Sequence, residues 1–149
     1  MREILFKAKR IDNGEWVEGY VVRKHGLYFI YDIVNSETCR QNNYEVDPGT
    51  ICQFTGLCDK NGRNIWENDI CDRKEKYPEI VKMNNGDWTL DYSYVFGKEY
   101  GYSFCNLGFY ATERKCIEAI GNVFDNPELL QEKSDEQISI SDRYTRKLL

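Results

Sequence analysis

The sequence predicts a mainly β fold, on three observations. Short segments of alternating apolar and polar residues recur along most of the chain, as expected where one strand face is buried. Turn-forming Asn, Asp and Gly punctuate them at close intervals. Aromatic residues reach 14%, and Tyr supplies 11 of them, a residue type that suits half-buried pleated surfaces.

The elements follow in order. Ile4, Phe6 and Ala8 alternate with Leu5, Lys7 and Lys9 and predict a first strand. Asp12-Asn13-Gly14 is a turn, after which Glu15–Val22 reads as a second strand. Lys24-His25-Gly26 is another turn, followed by a third strand over Leu27–Val34. These three strands form a meander within residues 1–44. Asn35–Asn43 is polar and reads as a loop, and Asp47-Pro48-Gly49 as a turn. Thr50–Phe54 is strand-like, Asp59–Gly62 is a tight turn, and Asn64–Cys71 is a strand or a strand with a bend.

Asn85-Gly86 fits the two-residue type I′ loop of a hairpin. That register pairs Met83 with Trp88, Lys82 with Thr89 and Val81 with Leu90. A second hairpin is expected from the alternation of Tyr92, Tyr94 and Phe96, the loop Gly97-Lys98-Glu99, and the alternation of Tyr100, Tyr102 and Phe104. It would place six aromatic side chains on one face. Lys115–Phe124 fits either a helix or a buried strand, with Gly121 disfavouring a helix interior. Asp125-Asn126-Pro127-Glu128 is a helix start, so one or two helical turns are expected over Pro127–Glu132. Residues 132–149 form a polar tail.

Composition narrows the function classes. The 149 residues carry a net charge of −5 with scattered bases, which argues against a polyanion as the main partner. The first ten residues carry five charges and no apolar core, so no leader is expected. No run approaches the roughly 20 apolar residues of a membrane span. Six cysteines at 39, 52, 58, 71, 105 and 116 contain no close pair, and His25 is the one histidine. Neither a zinc site nor a disulfide framework is expected, and no cofactor motif is present.

The chemical candidates are few. Glu67 and Asp69 would share a strand face, with Asp72 nearby, and two carboxylates are the minimum for acid–base hydrolysis. Their plainer reading is a solvated edge and a turn cap. The predicted aromatic ladder offers Tyr92, Tyr94, Tyr100, Tyr102 and Phe104 as protein- or ligand-binding candidates, against a plainer reading as core cover.

Three stretches then point to a family: Met1-Arg2-Glu3-Ile4 with Trp16, the long segment VDPGTICQFTGLCDKNGRNIWENDI from Val46 to Ile70, and AIGNVFDNPELL from Ala119 to Leu130. In order and content the chain resembles the YopX family over about residues 1–131. The resemblance implies a protein encoded by phages and prophages, with an SH3-like β barrel over residues 45–131 closed by the C-terminal helix. It carries over no catalytic residue. Where the family commonly has Glu-Gly-Asp, this chain has Glu67-Asn68-Asp69, and Asn68 can adopt positive φ. The expectation is a non-enzymatic module in the cytosol of a bacterial host, binding a protein partner or a second copy of itself. The alternatives are a nucleic-acid-binding SH3-like module, which would use Arg2, Lys7, Lys9, Arg10, Arg23 and Lys24, and a small hydrolase using Glu67, Asp69 or Asp72.

Overall fold

A computed structural model describes residues 4–32, 41–96 and 104–130. The fold is mainly β, with two antiparallel sheets and few helical turns. It divides into two structural units, one from Met1–Leu57 and Asn64–Glu67, the other from Cys58–Arg63 and Asn68–Leu149.

The first sheet contains β1 (Phe6–Lys9), β2 (Trp16–Lys24), β3 (Leu27–Tyr31), β4 (Asn43–Glu45), β5 (Cys52–Cys58) and β6 (Asn64–Trp66). Its spatial order is β4-β3-β2-β1-β5-β6. The expected meander is therefore present. The β2–β3 hairpin turns on His25 (φ 53°) and Gly26 (φ 78°) and pairs Lys24 with Leu27, the doubly positive φ of a type I′ loop. One face buries Ala8, Ile30 and Val46, with Phe6, Val17, Val21, Tyr28 and Ile51 packed around them. Close to the β5–β6 edge, Leu5, Phe54 and Trp66 form a second cluster, with the Phe54 and Trp66 rings 5.4 Å apart.

The expected turn at Asp47 is a 3-10 turn over Pro48–Thr50, capped by the Asp47 carboxylate, which accepts the Gly49 N–H.

The second sheet contains β7 (Asp69–Asp72), β8 (Glu79–Asn84), β9 (Asp87–Asp91), β10 (Phe104–Asn106) and β11 (Glu118–Asn122), in the order β10-β9-β8-β7-β11. Asn85 (φ 54°) and Gly86 (φ 81°) make the expected tight loop, and Met83 pairs with Trp88, Lys82 with Thr89 and Val81 with Leu90. Asn68 takes φ 69° at the bend before β7, so the residue that replaces glycine keeps its geometry. Lys115–Phe124, left open between helix and strand, contains β11. Its register shifts between Ala119 and Gly121, and a Cβ on Gly121 would lie 2.5 Å from the Asn126 Oδ1. The closing helix is a 3-10 turn over Pro127–Leu130.

The mainly β expectation is met, and one other expectation is corrected. The described strands lie in two open sheets whose edges are β4 and β6, and β10 and β11, and no closed barrel is found among them. The aromatic hairpin does not start at Tyr92: Ser93–Phe96 is a helical turn, α1. The cause is local. The Asp91 carboxylate accepts both the Ser93 N–H (2.9 Å) and the Ser93 hydroxyl (2.6 Å), a side-chain turn that competes with strand continuation. Val95 is then buried beside Tyr77 and Tyr92. Phe104 pairs with Asp91 rather than with Tyr92. The other expected pairs, Tyr94 with Tyr102 and Phe96 with Tyr100, involve positions outside the described residues.

Candidate functional site

Glu67 belongs to the first unit, where Oε1 accepts the Gln53 N–H at 3.1 Å. Asp69 and Asp72 belong to the second. Asp69 is buried in β7, and Asp72 accepts the Lys74 N–H at 2.8 Å. In the aromatic set, Tyr92 is half-buried with its ring 5.8 Å from that of Tyr77. Tyr94 is exposed and its hydroxyl donates to the Pro78 carbonyl at 2.6 Å. Phe104 is half-buried in β10. Tyr100 and Tyr102 lie outside the described residues.

The second unit holds a polar cluster that no sequence motif announces. Glu79, on β8 opposite Cys71, is 1% exposed. Its Oε1 accepts the Arg73 Nε–H, its Oε2 lies 3.4 Å from Arg73 Nη2, and the Cys105 thiol points at Oε2 from 3.7 Å. The Arg73 guanidinium stacks 4.5 Å from the Tyr110 ring centroid and also meets Glu75 at 3.1 Å. Burial pushes the Glu79 carboxyl above its ordinary range, and the Arg73 contacts pull it back only in part. Burial, with Glu79 beside it, pushes the Cys105 thiol up to about 12. A thiol that stays protonated is a poor nucleophile, and a carboxyl sealed by its partners cannot meet a substrate. This arrangement holds a fold together. Among the described residues, no buried side-chain nitrogen or oxygen lacks a hydrogen-bond partner.

The chain's family sets limits on what such a site can inherit. The family model described as "YopX protein" matches residues 5–131. The chain belongs to the YopX family. No curated protein matches it. Among the described residues of this YopX-family chain, no group of three or more His, Cys, Asp or Glu could hold a metal ion, and no helix is long and apolar enough to cross a membrane.

The feature that stands out lies on the first sheet. Residues paired across antiparallel strands share a face. The register pairs Tyr20 with Tyr31, Val22 with Phe29 and Lys24 with Leu27, and on β4 places Glu45 opposite Phe29 and Asn43 opposite Tyr31. All of these side chains lie on the face opposite Ala8, Val17 and Ile30. Tyr20 is 51% exposed, Leu27 47% and Val22 36%, and Phe29 and Tyr31 are half-buried. Five apolar or aromatic side chains thus sit side by side on an open surface.

Further along the same face, Lys7 pairs with Glu18 and Lys9 with Trp16. The Lys7 ammonium lies 4.6 Å from the Trp16 ring centroid and 5.1 Å from that of Trp66, and Lys9 lies 5.5 Å from Trp16. Such cation–π contacts hold the lysine stems against the sheet. Of the expected basic face, Lys7, Lys9 and Lys24 share this side. Arg23 faces the other way, stacked on Tyr28, and Arg10 lies over Tyr44 and pairs with Asp12. Arg2 lies outside the described residues.

The signal for this surface was in the sequence. Tyr20-Val21-Val22 and Leu27–Tyr31 are apolar on both alternating sets, more than a strand with one covered face needs.

Proposed function

We propose that this chain is a non-enzymatic, protein-binding β module, phage- or prophage-derived and acting in the host cytosol, that binds through the open face of its first sheet. The carrying observation is the contiguity of Tyr20, Val22, Leu27, Phe29 and Tyr31 on one sheet surface, three of them more than a third exposed. Aromatic and aliphatic side chains grouped in this way are the usual anchors of protein interfaces. Tyr94, which among the described residues is the exposed member of the predicted aromatic set, is a separate candidate contact on the second unit. The hydrolase reading loses ground because Asp69 is buried and the Glu67 and Asp72 carboxylates accept the backbone N–H groups of Gln53 and Lys74.

Nucleic acid is the second reading, favoured by Trp16 between Lys7 and Lys9 as a stacking platform. Glu18 and Glu45 on the same face oppose it, since phosphates would meet carboxylates.

The test compares two matched substitutions. Leu27 is 47% exposed on the first sheet and Met83 45% on the second. Leu27→Asp is expected to abolish binding to a stoichiometric, identified protein partner or to a second copy, while Met83→Asp leaves it intact. Equal effects of the two, with circular dichroism unchanged, would remove the open face from the account.

A further inference from the structure

We propose that the open face is the interface of a symmetric dimer, two copies packed face to face about a two-fold axis that runs across the strands. This rests on the binding reading and names its partner: a second copy of this chain.

The register of β2 and β3 points to this arrangement. Along β2 the outward-facing residues are Glu18, Tyr20, Val22 and Lys24. About the level of Val21 this series is balanced in shape and opposite in charge. Tyr20 and Val22 lie one residue to either side, and Glu18 and Lys24 lie three residues to either side. On β3, Tyr31 stands level with Tyr20 and Phe29 level with Val22.

Two stacked sheets can be related by a two-fold axis along the strands or across them. An axis along the strands keeps each level in place, so Lys24 meets the level of Lys24 and Glu18 that of Glu18. An axis across the strands at Val21 reverses the second copy. It sets Tyr20 over Val22, Phe29 over Tyr31 and Glu18 over Lys24, and the symmetry repeats each contact. The apolar pairs then fill the ~10 Å between stacked sheets, and two ion pairs flank them about 20 Å apart along the strand. Glu18, one of the carboxylates that weaken a nucleic-acid reading, gains a complementary charge in this arrangement, while Glu45 comes over Asn43. Three strands' width is small beside the ~800 Å² per partner of a stable complex, so the dimer is weak and its population depends on concentration.

The test is sedimentation of the full chain over a wide concentration range, with two exposed charges exchanged. The wild-type protein is expected to pass from monomer to dimer. Glu18→Lys and Lys24→Glu are each expected to weaken the dimer by about tenfold, because each alone sets like charges face to face. The double variant E18K/K24E restores opposite signs and is expected to return to within about threefold of wild type. A double variant as weak as the singles would overturn the proposal, as would a dimer indifferent to all three. A chain that stays monomeric throughout also overturns it. If that monomer still binds an identified protein in a Leu27-dependent manner, the binding reading survives the loss of the dimer.

Discussion

β7, β8 and β9 in the second sheet are buried on successive residues, whereas β2 and β3 in the first are not. Both sheets are antiparallel and both contain a hairpin with a two-residue turn. They differ in how many faces are covered. Where both faces are covered, polar residues are trapped and must find partners inside: Glu79 takes Arg73, Thr89 takes Asn84 and the Lys82 carbonyl, and Asp91 takes Ser93 and Asn84. Where one face is left open, polar and apolar side chains share it, and no internal partner is demanded. The covered sheet holds its polar residues inside, and the open sheet leaves the apolar surface to which binding is proposed.

The sharpest way to break this contrast is to orphan the buried carboxylate. Arg73→Ala leaves Glu79 sealed in without its guanidinium, and urea unfolding is expected to show a loss of about 3–5 kcal/mol. Replacing both, as R73M/E79L, is expected to recover most of it, because two apolar side chains leave no charge behind. A small loss in the single variant would show that water reaches Glu79 and that the second sheet is less covered than described.

A matched pair of leucines sharpens the comparison. Leu90 is fully buried in β9 and Leu27 is 47% exposed in β3. Leu90→Ala is expected to destabilise by about 2–5 kcal/mol, and Leu27→Ala by about 0.5 kcal/mol or less, read from the same denaturation curves. Similar losses would mean that the two faces are equally covered.

A pH-dependent effect is expected at the turn that holds β11. Asp59 Oδ1 accepts the N–H groups of Asn61 and Arg63, and Oδ2 that of Ala119, all within 3.0 Å. Burial raises the Asp59 carboxyl, but these donors outweigh it, so the group lies below its ordinary range. A depressed carboxyl stabilises the fold above its unfolded value, about pH 3.9, and that stability is lost as the pH falls through the folded value. Asp59→Asn is therefore expected to flatten the acid limb of the stability profile by lowering stability at pH 7, since an amide cannot accept all three N–H groups. A limb as steep as wild type would remove Asp59 from that role.

Most of the fold was legible where local chemistry decides it. His25-Gly26 and Asn85-Gly86 set two hairpin registers, and Asn68 announced a bend. The reading failed where two local signals competed. Tyr92, Tyr94 and Phe96 alternate like a strand, but the Asp91–Ser93 hydrogen bonds turn the chain first. The Glu79–Arg73–Cys105 cluster was illegible because nothing local says that the chain turns Arg73 back onto Glu79 or brings Cys105 beside it. The open face was half legible: alternation shows that β2 and β3 have two faces, and their apolar content shows that both are sticky, but nothing local says which one remains uncovered.

The central claim is that the Tyr20–Val22–Leu27–Phe29–Tyr31 surface is where the chain meets a partner, and that the partner is a second copy. A dilution series followed by amide and aromatic NMR shifts tests it most directly. Concentration-dependent shifts are expected, confined to β2 and β3 and largest at Tyr20, Val22, Phe29 and Tyr31, with β8 and β9 silent. Shifts centred on the second sheet, or none at any concentration, would contradict it.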